Sequence, residues 1–242
     1  MNLRILGKDG PYPKEGGATS GYLLTSTNAT VVFELGSGTF SALSEYTDIW
    51  KIDALILSHF HFDHCCDAGV LGYALLRFAA AGKANLPLKI YCPATDSPLC
   101  EAIKSIKAFE LISVADGDEV TIRDLTFKFY KVNHPVPCFG FKVTDGKRNF
   151  AYGGDSNECD NLEKLIDGSD LALLDGGFLE KDWSLQKPHL SVKRCADLAE
   201  KYGVKTIITH QCPDYDVFSV AEEMNKETDK CILAEKGKIY GI

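Results

Sequence analysis

The run "IDALILSHFHFDHCCDAGVLGYALL" (residues 52–76) decides how this chain is read. Residues 52–57 are apolar enough for a buried strand, and residues 68–76 have the apolar spacing of a helix. Between them, residues 58–67 hold three histidines and two aspartates. A strand turning into a helix has no structural need of so many imidazoles. In extended backbone His59, His61 and Asp63 project to one side, and His64 falls on the other unless the chain curls into the helix expected near Asp67. Two ligand groups result: His59 with His61 for one ion, Asp63 with His64 for a second. Imidazole and carboxylate together suit zinc first, then manganese or iron.

The chain has six histidines in all. His134 follows "LTFKFYKVN" (125–133) and His210 ends "KTIITH" (205–210), so both sit where a strand stops. His189 lies in a loop, "QKPHLS" (186–191), and none of the six falls in a helix expected from the pattern. Two dications roughly 3.5–4 Å apart need a shared anion. The candidate is Asp155 in "AYGGDSN" (151–157), where two glycines let the backbone approach the metals.

Outward from this cluster, strands are expected at 2–6, 21–25, 30–35, 52–57 and 88–92, with helices at 68–82 and 97–110, the second capped by Ser97 with Pro98 at its first position. Further strands are expected at 119–122, 125–132, 138–143, 149–154 and 171–176. Then follow a helix at 191–203 closed by Gly203, a strand at 205–210, a helix at 219–226, and strands at 230–235 and 238–242. Two β-rich stretches, each followed by helices, predict an α/β (α+β) fold: a four-layer αββα sandwich forming a single domain over residues 1–242. There is no internal sequence repeat and no Pro-, Gly- or Ser-rich linker.

Composition narrows the function. With 34 acidic and 26 basic residues the net charge is −8, which argues against a broad basic face gripping nucleic acid but leaves room for a small anionic substrate beside bound cations. Nine cysteines without repeated CxxC spacing suit a reducing, cytoplasmic setting better than a disulfide framework. No apolar run reaches membrane-spanning length, so no membrane partner is expected.

"HFHFDH" (59–64) matches the HxHxDH signature of the metallo-β-lactamase fold superfamily, and His134, Asp155 and His210 follow in the order and spacing of its remaining ligands. The chain resembles that superfamily from "GGATSGYLL" to "KTIITHQ". The resemblance implies two divalent metal ions: one held by His59, His61, His134 and Asp155, the other by Asp63, His64, Asp155 and His210. Asp63 would also orient a metal-bridging hydroxide.

"HPVPCFGFKV" (134–143) and "KPHLSVKRCADLAEKYGVKTIITH" (187–210) are similar to the ribonuclease Z-like phosphodiesterase branch, in which His189 would stand beside the scissile phosphate and serve the leaving alkoxide. In that branch a tRNA-clamping arm lies between the third histidine and the bridging aspartate. The span from His134 to Asp155 is too short for one, which weighs against tRNA and favours a small phosphodiester, such as a cyclic nucleotide or an oligonucleotide end. Homodimers are common in the branch.

The alternatives are a thioester hydrolase of glyoxalase II type, which shares the metal ligands, and a catalytically idle metal-binding module. Cys65, Cys66, Cys138 and Cys212 are read as packing residues, although Cys138 or Cys212 could line the pocket. Phe60 and Phe62 are expected beneath the ligands and Phe178 along the cleft. "GGATSG" (16–21) is read as a strand-entry turn, with a phosphate contact from Ser20 as the other option.

Overall fold

The computed structural model describes residues 1–242. The first half of the chain forms β1 (Asn2–Gly7), β2 (Gly21–Thr25), β3 (Thr30–Leu35), α1 (Thr39–Tyr46), β4 (Ala54–Ile56), α2 (Phe62–Cys65), α3 (Ala68–Ala80), β5 (Leu88–Pro93), α4 (Pro98–Lys104) and β6 (Phe109–Val114). The second half forms β7 (Glu119–Ile122), β8 (Leu125–Lys131), β9 (Phe139–Thr144), β10 (Asn149–Tyr152), α5 (Asp160–Ile166), β11 (Leu171–Asp175), α6 (Val192–Tyr202), β12 (Lys205–Thr209), α7 (Val217–Glu227), β13 (Cys231–Leu233) and β14 (Ile239–Gly241).

These strands make two seven-stranded sheets, in the orders β14-β1-β2-β3-β4-β5-β6 and β13-β12-β11-β10-β9-β8-β7. In the first, β14 through β3 pair antiparallel and β3 through β6 pair parallel. In the second, β7 through β10 pair antiparallel and β10 through β13 parallel. The architecture is the αββα sandwich of the metallo-β-lactamase fold, and the two halves share one pairing pattern without a shared sequence repeat.

The strands are apolar on both faces because each sheet is covered on both. Val31 and Phe33 of β3 point into the core between the sheets, where they meet Phe127, Phe141 and Phe150. Val32 and Leu35 point the other way, onto Leu71 and Leu75 of α3. On β11, Leu171 and Leu173 face the central core while Ala172 and Leu174 face Cys195 and Ala199 of α6. Phe33 stacks on Tyr22 at 4.8 Å between centroids and meets Phe141 edge-on at 5.2 Å. Truncating so buried a ring to alanine costs about 3–5 kcal/mol.

The structure departs from the sequence reading in four places. The helix expected over 97–110 keeps its Ser97 cap, whose Oγ accepts from Cys100 N at 3.2 Å, but ends at Lys104. Phe109–Val114 is instead strand β6, paired parallel with β5, a tertiary pairing that local propensity does not reveal. Helices α1 and α5 were not anticipated: each is short, and α5 buries only Leu162, Leu165 and Ile166. Finally, helical structure after β4 begins at Phe62 rather than near Asp67.

No helix is long and apolar enough to cross a membrane. The carboxyl ends of β4, β8, β10, β11 and β12 meet along one edge of the sandwich, and this edge carries the histidines.

Candidate metal centre

After β4 the chain is extended through His61 (φ −77°, ψ 151°) and turns helical at Phe62. His59 and His61 therefore leave an extended segment, whereas Asp63 and His64 sit on the first turn of α2. This early turn resolves the parity problem of the sequence reading: His64 points back toward Asp63 instead of away from it. Ser20 N donates to the Asp63 carbonyl at 3.1 Å and pins the loop from below. Within "GGATSG", Thr19 and Ser20 are buried at the entry to β2, so the Ser20 hydroxyl does not face solvent.

Three rings come from two separate segments. His59 Nε2 lies 2.9 Å from His61 Nδ1, and His134 Nε2, delivered by the β8–β9 connection, lies 3.2 Å from the same atom. Asp155 follows β10 through Gly154, whose φ of 62° favours glycine, and any Cβ there would press on Cys138 Sγ and the Phe139 carbonyl. Asp155 Oδ2 stands 3.7 Å from His59 Nε2, 3.1 Å from His64 Nε2, 3.4 Å from His210 Nε2 and 3.8 Å from His189 Nδ1. His210 closes the ring, with Nε2 3.1 Å from Asp63 Oδ2. Its backbone has a φ of 52°, an uncommon left-handed conformation for a non-glycine residue.

All seven sequence-chosen ligand candidates are thus brought together, with His189 beside them. Donor atoms of His59, His61, His134 and Asp155 lie within 4.8 Å of one another, as do those of Asp63, His64, Asp155 and His210. Buried imidazole and carboxylate donors crowded this closely, with His64 Nε2 and Asp155 Oδ2 only 3.1 Å apart, make a donor set that fits a divalent cation. A third equally close grouping joins Asp155, Asp175, His189 and His210. There, Asp175 Oδ2 closes on His189 Nδ1 at 2.5 Å, so the two already satisfy each other.

The electrostatics differ across the cluster. Burial, aided by the neighbouring His64, holds His59 well below the ordinary imidazole value, and burial also lowers His61 and His134. Burial opposes the charged form of His64, but Asp155 and Glu34 overcome it and push the group well above the ordinary value. His210 is raised to about 9 because Asp155, Asp175 and Asp63 outweigh its burial. Asp155 stays well below the usual carboxylate range: burial works against ionisation, and the His210 and His64 charges prevail.

Two buried carboxylates were missed in the sequence. Glu34 Oε2 sits 3.2 Å from His64 Nδ1, while its Oε1 accepts from Ser58 N at 2.7 Å. Asp175 serves His189 and also lies 3.4 Å from His210 Nδ1. Each had a signal: an acid inside the apolar run "VVFEL", and an apolar strand ending in "DGG" much as β10 leads to Asp155.

Cys65 and Cys138 are buried, whereas Cys66 and Cys212 are half-buried. Burial pushes Cys66 up to about 11 and Cys65 and Cys138 higher still, so none is held as a thiolate. Cys138 lies beneath His59, its Sγ 3.7 Å from Nδ1, and Cys212 does not line the cleft. Phe60 is buried as expected, but Phe62 is 71% exposed, because the early start of α2 turns it outward. Phe178 packs against His189, ring centroids 5.8 Å apart, and does not line the cleft. The cleft over the cluster has a volume of about 220 Å³ and is walled by Pro11, Pro135 and Pro188 around the polar groups.

Comparison with known proteins agrees with this geometry. A family profile described as "Beta-lactamase superfamily domain" matches residues 32–210. The chain is 27% identical over 227 residues to the probable metallo-hydrolase YhfI of Bacillus subtilis, covering 94% of this chain and 92% of that one. It is 26% identical over 270 residues to a ribonuclease Z of Exiguobacterium, covering 87% and 88%. The crystal structure of YhfI, described as a metallo-β-lactamase fold protein, superposes with a TM-score of 0.92 over 99% of this chain and 98% of that one.

Proposed function

The chain belongs to the β-lactamase superfamily, and from that premise we propose that it is a metal-dependent hydrolase of small phosphodiesters, acting through two divalent ions, zinc first among them. His59, His61, His134 and Asp155 would hold one ion, and Asp63, His64, Asp155 and His210 the other. Such ions, when bound, acidify a water to a pKa near 7 and draw charge from a phosphoryl oxygen. Asp63, 12% exposed at the cleft, orients the attacking oxygen. The cleft of about 220 Å³ takes a phosphate and one attached group, such as a cyclic nucleotide or an oligonucleotide end. The whole link from His134 to Asp155 is consumed by the β9–β10 hairpin, which leaves no length for a tRNA-gripping arm.

The observation that carries the reading is the His189–Asp175 pair. Asp175 accepts from Nδ1–H and so leaves Nε2 turned to the cleft; from the doubly protonated ring, the Nε2 proton would pass to a departing alkoxide. A thiolate leaves without such help, since an ordinary thiol has a pKa near 8.5. An acid poised at the mouth therefore favours an oxygen leaving group over the glyoxalase II type of thioester.

The test is to incubate zinc-loaded protein with bis(p-nitrophenyl) phosphate, 2′,3′- and 3′,5′-cyclic nucleotides and lactoylglutathione, alongside His189→Ala. The expected result is phosphodiester turnover, impaired in the variant by roughly 10²-fold for nucleotide leaving groups, with metal content unchanged. Preferred thioester cleavage, indifferent to His189, would replace this reading with the thioesterase.

A further inference from the structure

His189 stands on a loop that ought to be loose. Residues 185–187 are exposed, and the segment between Trp183 and Leu190 belongs to no helix or strand. An isolated loop of this kind would sample many backbone states, and an acid carried on it would seldom face the cleft. Yet one buried amide gathers it. Asn157 donates through Nδ2 to the carbonyls of Ser184, at 3.0 Å, and Lys187, at 2.7 Å. Its Oδ1 accepts from Trp183 Nε1 at 3.2 Å, and the same indole N–H also reaches the His189 carbonyl at 3.1 Å. Arg194 caps the Trp183 ring at 4.2 Å while pairing with Glu180 at 2.9 Å.

The same residue ties the loop to the metal ligands. Asn157 lies two positions after Asp155, and its backbone N donates to the carbonyl of Asn133, the residue before His134, at 2.9 Å. The loop answers from the other side: the Pro188 carbonyl sits 3.3 Å from His134 Nδ1 and leaves Nε2 facing the cluster. The Asn157 side chain therefore holds the His189 loop, while its backbone N and the Pro188 carbonyl join that loop to the segment that carries His134.

We propose that Asn157 is a positioning residue that, with Trp183, fixes the His189 loop against the metal cluster and so couples proton delivery to the geometry of His134. The assignment builds on the phosphodiesterase reading above, for which it supplies the part that aims the acid. It depends on Asn in particular. Aspartate has nearly the same shape, but it would turn two donors into acceptors facing the Ser184 and Lys187 carbonyls.

The test compares Asn157→Asp and Trp183→Phe with the parent, all zinc-loaded. For 2′,3′-cyclic nucleotides, kcat is expected to fall by ~10²-fold in Asn157→Asp and by ~10-fold in Trp183→Phe. For bis(p-nitrophenyl) phosphate, whose leaving group needs no proton, the loss should be at least tenfold smaller. KM should move little, and the limb of the pH profile that reports the acid should flatten. In parallel, hydrogen exchange of the amides of residues 183–187, 189 and 190 should accelerate in both variants while the β-sheet amides stay protected. An equal loss on both substrates, or a loop whose exchange does not change, overturns the proposal. Exchange is read independently of turnover. Faster loop exchange in a protein that cleaves no phosphodiester would therefore uphold the positioning role and discard only the reaction assigned to it.

Discussion

Behind the His59 and His134 rings lie neutral groups: Ser58 Oγ at 2.9 Å from His59 Nδ1, and the Pro188 carbonyl at 3.3 Å from His134 Nδ1. Behind His64 and His210 lie carboxylates, Glu34 at 3.2 Å and Asp175 at 3.4 Å. The two pockets share Asp155 and are built from the same kinds of ligand, yet their outer partners differ: neutral groups behind the first, carboxyl groups behind the second, where burial raises Glu34 while its contacts with His64 pull the other way. The consequence shows in the protons. Burial leaves the first pocket's three imidazoles neutral, whereas the carboxylates around the second hold protons on His64 and His210, where a cation would otherwise sit.

The largest effect expected from this comparison comes from the residue both pockets share. Under the proposed two-zinc reading, Asp155→Asn removes the common anion, so bound zinc, measured by elemental analysis after gel filtration, should fall from two equivalents to one or none. Turnover should drop by more than the roughly 100-fold that outer-partner changes cost. Retention of both ions would remove Asp155 from the bridging role.

Glu34→Gln is the next largest. Its carbonyl oxygen can still accept from Ser58 N, but its amide N–H₂ then faces His64 Nδ1 and drives the ring proton to Nε2, the atom aimed at the cluster. Affinity for the second equivalent of zinc should weaken by roughly 10–100-fold in a chelator competition, with the first equivalent changed only a few-fold. The matching change at the other pocket, Ser58→Ala, removes a neutral partner and should cost less. Equal losses at both pockets in Glu34→Gln would mean that outer charge does not distinguish them.

How much of this could be read from the chain follows a physical division. The ligands were legible because each strand run ends in a polar residue that packing alone does not ask for, and because HxHxDH crowds four of them into six positions. The sandwich was legible from alternating runs that are apolar on both faces. Glu34 and Asp175 were not, since each is the last or next-to-last residue of an apolar strand and its purpose depends on a histidine 30 or 14 positions away. Asn157 was hidden for the same reason: its partners are loop carbonyls, which carry no residue-type signature. Phe62 was misplaced because the boundary between extended and helical backbone shifted by five residues, and at such a boundary the side chain's face turns with it. Contacts that depend on side-chain type at a strand end were visible; those that depend on which backbone atom comes near were not.

The smallest expected effect is also the most direct measure of the asymmetry. His64 and His210 are both raised above the ordinary 6.5, and His210, at about 9, still carries a proton at pH 7.5 in the metal-free protein that a cation entering the pocket must expel. Binding that releases protons tightens as pH rises, so affinity for the second equivalent should climb with pH until His210 has titrated at about 9. His59, His61 and His134 lie below 6.5 and are neutral across that range, so the first equivalent should bind with nearly constant affinity. Calorimetric titration of the chelated protein with zinc, in buffers of different ionisation enthalpy, resolves the protons released at each step. Release confined to the second step supports the division between the pockets. Equal release on both steps would show that the carboxylates of Glu34 and Asp175 do not distinguish the histidines they face, and would leave the two pockets chemically alike.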